Sequence, residues 1–187
     1  MATATAAKPA GESISGGIAF ATVGTTLPAA ANTALAAGFK NVGYVSDEGV
    51  TRAIDVDSQV INAWGGAVAA VLSGAKTETF QFKVIEAYNA DFLGMVFGSA
   101  SGALETGITV TSNSAQQDPH SWVITMLEVD GNGHRIVIPK GIITEIGDIV
   151  YVDNDVTGYE VTITAIGDAN GVTAYDYYAK ASGSGSN

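Results

Sequence analysis

The sequence lacks cysteine altogether and is poor in charge. Its 187 residues contain no Cys, which excludes a disulfide framework and a thiolate metal site. Charged residues make up 14% of the chain, and 19 acidic against 8 basic residues give a net charge of −11. Because nucleic-acid affinity comes mainly from cations that meet phosphates, DNA should repel this chain. So few charges favour a subunit that buries much of its surface against other chains, the alternative being a compact monomer with a Thr-rich surface.

No segment has the pattern of a membrane span. Residues 13–39 contain no charged side chain, but they are interrupted by Gly, Thr and Pro and hold few large apolar residues. The segment also lacks the compact Leu-rich run of a signal peptide. We therefore expect no membrane partner.

Motifs for catalysis or metal binding are also missing. The chain has two histidines, His120 and His134, which are far apart and without cysteine partners, so a zinc site is not expected. It contains no G-x-S-x-G elbow, P-loop or dinucleotide fingerprint. Residues 130–133 and 153–155 partly match calcium loops, but their spacing favours ordinary turns. We expect no enzyme, no catalytic or metal-binding residue and no cofactor.

Alternating polar and apolar residues predict strands from residue 41 onward. Residues 51–60 place Ile54, Val56 and Val60 on one face of a half-buried strand. Residues 77–86 place Phe80 and Phe82 on one face in the same way. Further strands are predicted at 121–129, 134–139, 142–152, 158–166 and 172–178, the first two as a hairpin. The fold class is therefore mainly β, a β-sandwich or rolled barrel.

One short flanking helix is predicted at residues 89–97. Asn89 suits the N-cap, Asp91 the first turn and Gly98 the stop. Its core-facing residues are expected to be Phe92, Leu93, Val96 and Phe97.

The chain divides into a long N-terminal arm (residues 1–40), a β domain (41–180) and a flexible tail (181–187). The arm is sparsely charged and interrupted by Gly and Pro, with one or two helical turns expected in residues 29–39. Such a segment is unusual in a compact domain, so we expect it to pack on neighbouring subunits. The candidate contacts are Ile14, Ile18, Phe20, Leu27, Leu35 and Phe39.

The polar faces of the first two β segments form the one candidate functional surface. If several subunits close a ring, this face could line a channel through which a polyanion slides without sticking. Lys83 breaks the pattern. A glycosidase-like carboxylate pair would need a cleft that the sequence does not indicate, and a plain solvated face is the other reading. The candidate lumen residues are Asp55, Asp57, Gln59, Thr77, Thr79 and Gln81.

The run GTTLPAAANTALAAGFKNVGYVSDEGVTR (residues 24–52) resembles the N-terminal part of tail tube (major tail) proteins of siphophages, the long non-contractile-tailed bacteriophages. Its GYVSDEGVT signature (43–51) is followed by an AWGG element (63–66) and the strand TETFQFKVIE (77–86). A short helix ending in Phe97-Gly98 comes next. The C-terminal half is similar more loosely, in its hairpin and in YEVTITA (159–165).

The resemblance implies a β-sandwich-like structural subunit without a catalytic site. Six copies would form a ring, and stacked rings a tube in the phage virion, assembled in the cytoplasm of the host bacterium. The tube would enclose the tape measure protein and conduct DNA without binding it specifically, with terminator and tail-tip or baseplate proteins at its ends. The alternative is a virion decoration or surface β-domain that binds a ligand through its loops. A glycan-binding or hydrolytic β-domain is a third reading.

Overall fold

The computed structural model describes residues 17–86, 88–114, 116–127, 132–151, 153 and 156–180. It confirms a mainly β fold with one short helix. No helix among these residues is long and apolar enough to cross a membrane. The elements are β1 (Ile18–Thr22), β2 (Lys40–Asn41), β3 (Val45–Asn62), β4 (Val68–Val84), α1 (Ala90–Phe97), β5 (Gly98–Ala103), β6 (Gly107–Ser112), β7 (His120–Leu127), β8 (Gly133–Ile146), β9 (Tyr159–Ala165) and β10 (Tyr175–Ala179).

The main sheet is antiparallel and rolled. Its strand order is β2-β1-β7-β8-β9-β4-β3, and β10 pairs with the first part of β8, while β5 and β6 form a separate hairpin. Although β7 and β4 are three positions apart in this order, the rings of Trp122 and Phe82 meet with centroids 6.1 Å apart. The sheet therefore curls until these two strands face each other. In the described residues β2 and β3 have no further strand partner, so the roll is not a closed barrel.

The core follows the predicted alternation along β4. Phe80, Phe82 and Val84 are at most 2% exposed, and Val161 and Ile163 of β9 are fully buried beside them. Burying each side chain of this size contributes about 1.5–3 kcal/mol, so the roll is held mainly by its apolar inner face.

Strand β8 changes partners at Pro139. Before this residue β8 pairs with β10, and after it with β9. Proline cannot donate a ladder hydrogen bond, so it is tolerated where the pairing of the strands is irregular. The pairing of β7 with β8 shifts register at this point, and the hydroxyl of Ser121 donates to the Pro139 carbonyl at 2.7 Å. The predicted hairpin is confirmed as β7 and β8, which continues past Pro139 to Ile146.

The predicted helix is confirmed as α1. The side-chain oxygen of Asn89 accepts from the Phe92 amide at 3.1 Å, and its amide group donates to the Asn41 carbonyl at 2.7 Å. Gly98 ends the helix with φ 110°, a conformation that favours glycine. The predicted Phe92, Leu93 and Val96 are buried, as is Met95, and Phe97 packs against the core while partly exposed.

The structure corrects the expectation for two arm residues. Ile18 and Phe20 lie in β1, which pairs with β7, and they are 1% and 6% exposed in the core of their own subunit. Leu27, Leu35 and Phe39 are partly buried in the loop after β1. Ile14 and the tail 181–187 lie outside the described residues.

Residues 29–39 form turns instead of helical turns. The Thr33 amide bonds the Ala30 carbonyl at 3.3 Å, and the Phe39 amide bonds the Ala36 carbonyl at 3.0 Å. Buried Arg135 explains part of this difference, because its guanidinium donates to the carbonyls of Ala30 and Thr33 at 3.2 and 2.5 Å. Carbonyls held by a side chain in this way no longer need helical partners.

Candidate functional site

Strands β3 and β4 extend beyond the body as a two-stranded ribbon, residues 55–77. Strand β4 pairs with β9 from Glu78 to Val84, so outside this stretch β3 is its partner. The predicted strand is confirmed, but its apolar face is not covered, since Ile54, Val56 and Val60 are 47%, 58% and 52% exposed. At 3.3 Å per residue the ribbon is about 25 Å long, against an expected radius of gyration of about 16 Å for this chain length. It is long enough to reach a neighbouring molecule.

The outer part of the ribbon is uncharged and ends in a tight turn. Residues 58–75 contain no Asp, Glu, Lys or Arg. The turn is closed by hydrogen bonds from the Ala63 amide to the Ala67 carbonyl (2.7 Å) and from the Gly66 amide to the Ala63 carbonyl (3.0 Å). Gly65 and Gly66 have φ of 111° and 87°, which other residues rarely adopt. Trp64 sits at this tip and is fully exposed.

An ionic cluster fixes the base of the ribbon to the body. Glu78 is 1% exposed, and its carboxylate accepts from Arg52 and from the hydroxyl of Thr173, each at 2.5 Å. Arg52 also pairs with Asp176 of β10 at 3.0 Å. Asp176 in turn contacts the imidazole of His134 in β8 at 3.0 Å. The cluster thus joins β3, β4, β8 and β10.

The pKa shifts of Arg52 and Asp176 favour the ionised form of this pair. Partial burial acts to lower the pKa of Arg52, but hydrogen bonds to Asp176 and Glu78 outweigh it, and the pKa is raised. Burial acts to raise the pKa of Asp176, but hydrogen bonds with His134 and Arg52 lower it below its ordinary value. The Arg52–Asp176 contact is therefore an ion pair at neutral pH.

Four of the predicted lumen residues lie together on the outward side of the sheet. Asp55 is opposite Thr77, and Thr79 and Gln81 follow on the same side of β4, because Phe80 and Phe82 between them point into the core. Asp55 and Thr77 lie at the base of the ribbon, and Thr79 and Gln81 lie in the adjoining part of the body, where β4 pairs with β9.

Asp57 and Gln59 lie farther out on the same side of β3. The pairing of β3 with β4 is irregular between residues 56 and 58, where a Cβ at Gly74 would be 3.0 Å from the Cβ of Asp57. Gln59 is opposite Leu72, so the surface becomes more apolar toward the tip.

Strand β9 extends this surface, which sequence reasoning missed. Thr164 is opposite Thr79, Thr162 is opposite Gln81, and Glu160 hydrogen-bonds Gln81. The alternation in YEVTITA carried this signal. We call the outward side of β3, β4 and β9 the polar face. Its one cation among the described residues is Lys83, which lies opposite Glu160. The members are Thr51, Asp55, Asp57, Gln59, Thr77, Thr79, Gln81, Lys83, Glu160, Thr162 and Thr164.

A tyrosine-walled pocket of about 360 Å³ opens between α1, β6 and the start of β9. Tyr88 and Tyr151 form its rim and are 64% and 72% exposed, while Tyr159 at its base is 6% exposed. Burial raises the pKa of Tyr159, and the neighbouring phenols of Tyr151 and Tyr88 raise it further. Phe97 and Val110 complete the apolar wall, and no charged side chain lines this pocket in the described part of the chain.

A second pocket of similar volume, about 360 Å³, is polar. Its wall includes the ion pair between Lys40 and Asp91, 2.5 Å apart, together with Gln116, Asp118 and His120. Among the described residues no three His, Asp or Glu side chains are placed to hold a metal ion. Most of the two candidate calcium turns, residues 130–131 and 154–155, lies outside the described residues.

Exposed strand edges and a protruding ribbon with an uncharged outer part are features of a structural subunit that assembles with other chains. The chain matches the model of the family described as "Phage tail tube protein" over residues 13–185. It therefore belongs to the phage tail tube protein family and is a structural subunit of the phage tail. No curated protein matches the sequence.

The chain also shows a distant similarity to solved structures of contractile injection systems. The sheath-tube complex of the extracellular PVC system in its extended state is 11% identical, with a TM-score of 0.42 over 71% of this chain and 84% of that chain. The tube-terminating cap of the anti-feeding prophage is 9% identical, with a TM-score of 0.46 over 96% and 100%. The baseplate of the same system gives 13% identity and a TM-score of 0.38 over 78% and 85%. At these scores the matches add nothing to the family assignment.

Proposed function

We propose that six copies of this subunit close into a ring and that the rings stack into the tube of a non-contractile phage tail. The polar face lines the lumen, which encloses the tape measure protein during assembly and conducts DNA at infection. The role is passive and needs no catalytic group or cofactor. The tube belongs to the virion and is assembled in the cytoplasm of the host bacterium.

The polar face carries this proposal. It consists of threonines, glutamines and carboxylates, with Lys83 as its single cation among the described residues. Cations along a channel would hold phosphates and slow a passing polyanion, whereas acidic and neutral polar groups leave it mobile. The net charge of −11 acts in the same direction.

The unpaired sheet edges support ring formation. In the described residues β2 and β3 end the sheet without partners, and pairing across subunits in a closed ring would satisfy both edges. The ribbon and the arm, including Ile14, Leu27, Leu35 and Phe39, would contact neighbouring subunits. Stacking of rings is open-ended, so terminator and tail-tip or baseplate proteins must set the two ends of the tube.

Negative-stain electron microscopy of the concentrated, purified protein tests the assembly. We expect hollow tubes or stacked rings with a channel wide enough for duplex DNA. Particles that stay small even when initiating tail-tip proteins are added would contradict the proposal and favour a decoration or ligand-binding domain.

A charge reversal tests the lumen assignment. We expect phages with the double change Asp55→Lys/Asp57→Lys to form normal tubes but to eject DNA more slowly, because the new cations attract phosphates. The matched control is Glu105→Lys/Asp118→Lys, which makes the same change in charge at exposed positions away from the polar face. Normal ejection kinetics in the first variant, measured by dye uptake into released DNA, would refute the assignment of this face to the lumen.

A further inference from the structure

We propose that Trp64 at the ribbon tip of one subunit inserts into the tyrosine-walled pocket of a neighbouring copy. This inference rests on the proposed function, because it requires subunits that polymerise. It adds to that function one specific contact between subunits, that of an indole with an aromatic pocket.

The tip of the ribbon requires a partner. Trp64 is fully exposed, and Val68 and Leu72 of β4 are 62% and 51% exposed. Large apolar side chains exposed along one protruding ribbon favour an interaction site. Because residues 58–75 carry no charge, this is also the part of a −11 chain that a second copy can approach with least repulsion.

The tight turn fixes the backbone that carries the indole. Two backbone hydrogen bonds close the turn around Trp64, and two glycines with positive φ allow its shape. A backbone that is already ordered loses less freedom on binding, which favours affinity. Tryptophan is also the side chain most enriched among residues that dominate protein interfaces.

The tyrosine-walled pocket is a suitable receptor for this side chain. Its volume of about 360 Å³ falls in the range of ligand pockets, about 300–1,000 Å³. Aromatic rings pack favourably against one another, and tyrosine hydroxyls can accept the indole N–H. The polar pocket is a poor alternative, since an indole placed there would remove water from the Lys40–Asp91 ion pair and from the carboxylate of Asp118.

Cross-linking in the cysteine-free chain tests the contact. The double variant Ala63→Cys/Ser112→Cys places one thiol beside Trp64 and one at the tyrosine-walled pocket, and leaves the indole in place. The control, Ala63→Cys/Gln116→Cys, places the second thiol at the polar pocket. On tubes verified by microscopy, a short bis-maleimide should give covalent ladders with the first variant and not with the second. Ladders with the control alone, or intact tubes without ladders, would overturn the inference and leave the proposed tube function standing.

Fluorescence of the unmodified chain gives a second test that needs no cysteine. The protein has two tryptophans, and Trp122 is buried, so acrylamide can quench Trp64 alone in the free subunit. Tube formation should abolish this quenching, and quenching that persists in tubes would refute the inference. Trp64→Ala should raise the critical concentration for assembly by roughly 30-fold, the equivalent of a 2 kcal/mol hot spot, and an unchanged value would also refute it.

Discussion

Replacing Glu78 by Gln should destabilise the subunit by about 2 kcal/mol. The change keeps the shape and one oxygen, which can still accept from Arg52. It removes the charge and turns the other oxygen into an amide group that can only donate, to the hydroxyl of Thr173. Hydrogen bonds to charged groups contribute about 1.5–3 kcal/mol and neutral ones about 0.5–1.5 kcal/mol, so two weakened bonds cost about 1 kcal/mol each. The loss stays below the ~3–5 kcal/mol of a stranded buried charge, because Arg52 is 30% exposed and keeps Asp176.

Urea unfolding and thermal melting of the unassembled subunit measure this effect. For a chain of this length the melting temperature should fall by about 4–8 °C. The control Glu105→Gln, at an exposed turn, should stay within about 0.5 kcal/mol of the unmodified protein. If Glu78→Gln is equally neutral, the buried carboxylate does not hold the ribbon to the body, and our account of the ribbon base is wrong.

Two further predictions concern buried or paired charges. Arg135→Ala should lower the free energy of unfolding by about 1–3 kcal/mol, because the carbonyls of Ala30 and Thr33 lose their donor. Hydrogen exchange in residues 29–39 should become faster at the same time. Unchanged exchange there would show that Arg135 does not hold this segment in place. The lowered pKa of Asp176 predicts a contribution to stability that is complete above the unfolded-state pKa of about 3.9 and is lost as pH falls through the folded-state value. The stability difference between the unmodified protein and Asp176→Asn should therefore shrink below about pH 4, and a constant difference in urea titrations at pH 7 and pH 3 would contradict it.

Local sequence patterns predicted those elements that have one face toward solvent and one face toward the core. The alternation of Phe80, Phe82 and Val84 gave the core side of β4, and the spacing around Phe92 with the Asn89 cap gave α1. Both depend on neighbours in the chain, which sequence can show. Ile18 and Phe20 were misplaced because their burial depends on β7, about a hundred residues away.

The sequence by itself determined the mainly β class, the helix and its cap, the β3 and β4 residues of the polar face and, through its motifs, the tail tube family. The tertiary structure decided how far β4 is covered by β9, and therefore that residues 55–77 extend freely. It also placed Arg52, Glu78, Asp176 and His134 in one cluster and closed a pocket around three tyrosines from separate segments. These features depend on contacts between residues far apart in the chain. Such contacts form only when the sheet rolls and brings distant segments together, so the periodicity of the sequence does not predict them.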